Sequence, residues 1–122
     1  LVGGVGIMNT MYTAVLERTK EIGIMKAIGA KNSEIFEIFF IESGFLGMAG
    51  GIIGLLIGAT IAFTSAHFGR IFLGSTLIQA EISLFVVIGS LLFSFILGII
   101  FGVLPAIQAS RLQPVDSLRR AK

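Results

Sequence analysis

Apolar and polar stretches alternate along the chain in long blocks. Residues 1–16, 43–66 and 82–110 contain no Asp, Glu, Lys or Arg. A hydrocarbon core of about 30 Å is crossed by roughly 20 helical residues, so the second and third blocks are long enough to span a bilayer. The first block is shorter and opens at Leu1 without an initiator Met, and it reads as a span whose beginning lies upstream. No basic segment or cleavage site marks it as a signal peptide. Backbone groups in lipid must be satisfied internally, which makes these blocks helices. The expected architecture is all-α: a truncated transmembrane helix over 1–16, a polar segment over 17–42, and a second span over 43–66. A loop over 67–81, a third span over 82–104 and a polar tail over 105–122 follow.

The polar segment mixes two patterns. In ERTKEIGIMKAIGA (17–30), Ile24, Ala27 and Ile28 recur at i, i+3 and i+4 and predict one apolar stripe on a helix. Glu17, Lys20 and Glu21 lie a turn apart, as on a solvated face. Gly23 and Gly29 weaken a helix, predicting a bend near the first and a stop near the second. Asn32 or Ser33 can cap the next helix. There Ile35, Phe36, Phe39 and Phe40 gather on one side, with Glu34 and Glu37 more polar, the pattern of an amphipathic helix lying at a membrane surface.

Charge sets an orientation. Arg18, Lys20, Lys26 and Lys31 fall in the polar segment and Arg111, Arg119, Arg120 and Lys122 in the tail, whereas the 67–81 loop holds only Arg70. Three spans put segment and tail on one side, and the positive-inside rule makes that side cytoplasmic. Composition agrees with a membrane protein: 55% of residues are hydrophobic and 13% charged, against about 25% charged in soluble domains. Mean hydropathy is +0.99. The net charge of +2 flanks the spans and does not indicate nucleic acid. The chain has no cysteine, excluding disulfides and Cys-ligated metals within it.

Small residues mark helix contacts. Gly47/Gly51, Gly50/Gly54, Gly54/Gly58 and Gly98/Gly102 are all GxxxG pairs, whose shared face lets backbones approach closely. Packing within one chain and an interface to a second subunit both fit this pattern. In the tail, Pro105 limits the third span, Pro114 suits the first turn of a short helix with Asp116 at its positive end, and Arg119 lies at its negative end.

Other chemistry is excluded by spacing. Gly3, Gly4 and Gly6 lack the Lys of a phosphate loop, and Asn9 stands where a dinucleotide fingerprint needs glycine. His67 is the only histidine. Ser43, Ser65, Ser90 and Ser94 have no partner base and are expected to bond back to the helix or to a neighbour. No catalytic, cofactor-binding or metal-binding constellation emerges. No ionisable residue lies in the centre of a span, as a proton- or ion-driven carrier would be expected to need.

Two motifs carry a family resemblance. ERTKEIGIMKAIGAK resembles the signature after the second span of FtsX-like permeases, which include MacB-type and lipoprotein-releasing ABC transporters. It matches at Glu17, Arg18, Glu21, Ile22, Gly23, Ile24, Lys26, Ala27, Ile28, Gly29 and Ala30. GVLPAIQASRLQPVDSLR is similar to the family's closing pattern through Gly102, Pro105, Ala106, Ala109, Ser110, Arg111, Leu112, Pro114, Asp116, Leu118 and Arg119. Glu42 stands where the family often has an acidic residue. The resemblance covers 1–122 and implies an FtsX-like permease domain supplying spans two to four of four. In it, 17–42 is a cytoplasmic coupling segment plus interfacial helix, 67–81 is extracytoplasmic, and 105–122 is a cytoplasmic tail in the inner, cytoplasmic membrane. The segment around Lys20–Ala30 is then the coupling helix that docks a cytoplasmic ABC ATPase, which itself uses ATP and Mg. The implied partners are that ATPase, a second permease subunit, the bilayer and an extracytoplasmic adaptor. The implied function is coupling ATP hydrolysis to export or mechanotransmission. An FtsX-type regulator of extracytoplasmic cell-wall hydrolases shares the same residues.

Overall fold

A computed structural model describes residues 1–74, 76–77, 79–113, 115 and 119. The expectations for Pro114, Asp116, Leu118, Arg120 and Lys122 fall outside the described residues. Four helices follow in order: α1 Val2–Glu17, α2 Thr19–Ala27, α3 Asn32–Leu73 and α4 Leu84–Ser110. Helices α3 and α4 are each long and apolar enough to cross a membrane. Helix α1 has 16 residues, about 24 Å at 1.5 Å per residue, so length and composition among the described residues support two of the three expected spans.

Helix α3 antiparallels α4 along a shared seam, and α1 packs mainly on α4. Gly4 of α1 lies against the Phe101 ring. Further along, Met11 and Val15 share a buried cluster with Ala106 and Ala109, so α1 and α4 run parallel. The same cluster takes Ile22 of α2 and Ile35 and Phe39 of α3. The core therefore sits at one end of the bundle, where α1 finishes, α2 turns, α3 begins and α4 ends.

The seam is a ladder of small residues. Ser43 packs on Gly102, Gly47 on Gly98, and Gly51 on Ser94. Each helix contributes one residue every four positions, so a single face of each meets the other, and absent side chains let van der Waals contact hold the pair. Ser43 is fully buried; its hydroxyl donates to Phe40 O at 2.7 Å and leaves no unmet donor in the contact.

Several boundaries differ from the sequence-based expectation. The break in the polar segment falls at Arg18, between α1 and α2, and not at Gly23, which is buried within α2. Thr19 Oγ1 lies 2.9 Å from the carbonyls of both Val15 and Leu16, and such back-bonding competes with the helical ladder. Gly29 does end α2, at φ 108. The amide of Gly29 donates to Lys26 O and that of Ala30 to Met25 O, the paired bonds of a Schellman stop. Neither Asn32 nor Ser33 caps α3. Lys31 occupies that position, and its amide donates to the Glu34 carboxylate at 2.9 Å.

The separate interfacial helix is absent. Residues 32–73 form one helix of 42 residues. Ile35 and Phe39 lie on the same i, i+4 face as Ser43, Gly47 and Gly51, so the apolar face expected to lie on lipid instead turns into the core. A helix whose buried face continues without a shift has no reason to break. Helix α3 also runs into the expected loop and stops only at Gly74, whose φ of 59 supplies the left-handed cap. Helix α4 continues past Pro105 to Ser110. An internal proline costs about 3 kcal/mol, but Pro105, Ala106 and Ala109 are buried, and tertiary packing dominates helix stability.

Candidate functional site

Helix α2 carries the first motif on two distinct faces. Successive helical residues turn by about 100°, which places Ile22 and Lys26 together and Ile24, Ala27 and Ile28 on the opposite side. Ile22 is 0% exposed and belongs to the core, whereas Ile28 is 83% exposed and Ile24 47% exposed. Ala27 is exposed as well. The expected stripe is therefore present and faces outward, bordered by exposed Lys20 and Glu21. Of the motif's other residues, Glu17, Arg18 and Gly29 are exposed, Ala30 is half-buried, and Gly23 points inward.

Lys26 is turned the other way. Its ammonium donates to the carbonyls of Ser110 and Leu112 at the end of α4. The last carbonyls of a helix lack intrahelical partners and carry the negative end of the helix dipole. Those of Ile107, Gln108 and Ala109 accept from the amides of Arg111 and Leu112; the next, Ser110, accepts from Lys26. Burial holds the Lys26 pKa below the usual lysine value, because an ammonium leaving water is disfavoured. The structure thus brings together the two motifs, 84 residues apart.

A second link ties the α1/α2 break to α3. Arg18 Nη1 lies 3.2 Å from Glu42 Oε2, with both side chains partly exposed. Glu42 stands just before the uncharged part of α3. Arg111 is exposed beside the end of α4, Pro105 is buried within that helix, and Arg119 is exposed.

The glycines differ in how closely they are packed, although Gly47 and Gly51 both sit in the seam and border the groove described next. Gly47, Gly51, Gly98 and Gly102 are spent in the α3/α4 seam, with neighbours too close for any Cβ. Gly50, Gly54 and Gly58 have nothing within 4 Å of a Cβ position. They line an open groove of about 770 Å³ together with Gly3, Leu55 and Ala59. Sequence reasoning missed Ser43 and Ser94 as seam residues. The signal was available: Ser43-Gly47-Gly51 and Ser94-Gly98-Gly102 are both small residues at spacing four.

The family model described as FtsX-like permease C-terminal matches residues 1–114. The chain is 45% identical over 119 residues to the ABC transporter permease MJ1507 of Methanocaldococcus jannaschii, covering 98% of this chain and 30% of that protein. It is 46% identical over 120 residues to the ABC transporter permease YknZ of Bacillus subtilis, covering 98% and 28%. To the macrolide export ATP-binding/permease protein MacB of Neisseria meningitidis it is 41% identical over 118 residues, covering 97% and 17%. The chain spans less than a third of the length of these relatives. Two apolar helices of spanning length, both motifs at one end of the bundle and a family match across nearly all of it converge: the chain belongs to the FtsX-like ABC transporter permeases, as their C-terminal membrane region.

Proposed function

We propose that this region couples a cytoplasmic ABC ATPase to movement of the permease's membrane helices, with the outward face of α2 as the dock. The observation that carries the reading is the exposed stripe of Ile24, Ala27 and Ile28 on a short helix whose opposite face is anchored. An Ile left 83% exposed on a short polar helix outside the spanning segments gains from covering by a protein partner. The MacB relatives are named as ATP-binding/permease proteins, which fits an ATPase as that partner.

In this reading α1 completes a third span with sequence upstream, and the α2 end of the bundle is cytoplasmic. The lysines and arginines gathered there support that orientation. The permease works as one of a pair of such units, ATP and Mg being used by the ATPase, and ATP-driven closure is passed along the helices to export substrate or to move extracytoplasmic parts. The test is to place a charge in the stripe. Ala27→Glu and Ile28→Glu in the complete transporter are expected to insert normally, to lose the ATPase on purification and to lose permease-stimulated ATP hydrolysis. Wild-type association and stimulation in both variants would refute the dock.

A further inference from the structure

Helix α2 is short, and a short helix transmits a push only if something prevents it from pivoting. Its inward face has two attachments of different kinds. Ile22 is seated in the core, and Lys26, one turn later, is bonded to the end of α4. The Ile22 contact is apolar and non-directional. The Lys26 contact is directional and charge-assisted, which makes it the stronger kind of hydrogen bond. No Asp or Glu pairs with Lys26 among the described ion pairs; its charge is met by helix-end carbonyls. The side chain therefore holds α2 against one specific point, the C-terminal end of a helix long enough to span a bilayer.

We propose that Lys26 is a positioning residue that latches α2 to the end of α4, so that a load on the outward face of α2 moves α4 directly. This rests on reading that face as the ATPase dock. It assigns Lys26 a role apart from docking, although Lys26 lies in the same motif as the stripe. Arg18–Glu42 is the corresponding tie to α3, but it is a partly exposed ion pair and weaker for that reason. The α3/α4 seam then makes the two long helices respond together, since at Gly47 and Gly98 their backbones are in direct contact.

The experiment uses the complete transporter with its ATPase in liposomes. Lys26→Met keeps the length of the stem and removes the donors; Lys26→Arg keeps charge and donors. Spin labels at Lys20→Cys and Gln108→Cys report the distance between α2 and α4. With Lys26 intact, a narrow distance distribution is expected, and it broadens in the Lys26→Met background. Loss of charge-assisted bonds is expected to lower permease-stimulated ATP hydrolysis roughly tenfold while ATPase binding stays within about twofold of wild type. Lys26→Arg is expected to recover most of both signals. If Lys26→Met lowers protein yield, a Lys26→Cys/Leu112→Cys pair joined by a short bifunctional thiol reagent replaces the latch covalently and restores coupling.

Unchanged distances in Lys26→Met would overturn the latch whatever the dock does. Broadened distances with wild-type coupling would overturn the transmission role, as would joined cysteines that fail to restore coupling. Loss of ATPase binding in Lys26→Met would make Lys26 part of the dock instead. Failure of the dock itself is read separately, as retained ATPase binding in Ile28→Glu.

Discussion

Gly98 meets Gly47 backbone to backbone: a Cβ on Gly98 would lie 2.9 Å from the Gly47 Cα and 2.4 Å from Ser43 O. The contact explains why α3 and α4 form the most extensive helix pair in the molecule. It also separates glycines that look equivalent in sequence.

Gly98→Ala is expected to destabilise the bundle by about 1–3 kcal/mol, because the methyl meets backbone that can give only by separating the helices. Gly54→Ala places its methyl in open space and is expected to change stability by less than about 0.5 kcal/mol. Thermal unfolding of the two variants in detergent checks the difference.

Gly29→Ala tests the stop of α2. A side chain at φ 108 is strained by about 1–3 kcal/mol, and the Schellman bonds to Lys26 O and Met25 O depend on that conformation. Hydrogen exchange at the amides of Gly29 and Ala30 is expected to accelerate in the variant, with little change in the amides of α4.

The Arg18–Glu42 pair is expected to be weak. A double-mutant cycle of Arg18→Met and Glu42→Gln should return a coupling of about 0.2–1 kcal/mol. That coupling should shrink as salt is raised from 0.05 to about 1 M, where the Debye length falls to about 3 Å. An energy well above this range, or one indifferent to salt, would show that the pair is desolvated in the assembled transporter.

Orientation can be read by labelling. Phe72 is exposed at the far end of α3, and Lys20 is exposed at the α2 end. In intact cells an impermeant maleimide added outside is expected to label Phe72→Cys and to leave Lys20→Cys unlabelled until the membrane is opened. The reverse pattern would invert the proposed topology.

Some features were legible in the chain because their cause is local. The uncharged stretches announce spanning helices, since lipid excludes charge over a length that composition alone reveals. Gly29 and Gly74 each end a helix through their own backbone conformation, although only the first was anticipated. Ile24, Ala27 and Ile28 share a face by helical spacing alone. The break lies at Arg18, where Thr19 bonds back to Val15 O and Leu16 O, and not at Gly23, which is buried inside α2.

Other features depend on which faces meet. The pattern of Ile35, Phe36, Phe39 and Phe40 specifies an apolar face but not whether lipid or protein covers it; packing against α1, α2 and α4 decided for protein and merged that stretch into α3. Pro105 carries a local penalty that buried neighbours offset.

By itself the sequence determined the helical membrane class, the clustering of charge at one end, the apolar stripe of α2 and the family, because each rests on residue type and spacing along one chain. Tertiary structure decided which glycines meet the facing helix in the α3/α4 seam and which, like Gly50, Gly54 and Gly58, face open space, because that depends on how each helix is rotated against its neighbour. It also decided that Lys26 serves α4 rather than solvent, since its partners at Ser110 and Leu112 are 84 and 86 residues away and only the folded bundle brings a helix end to the lysine.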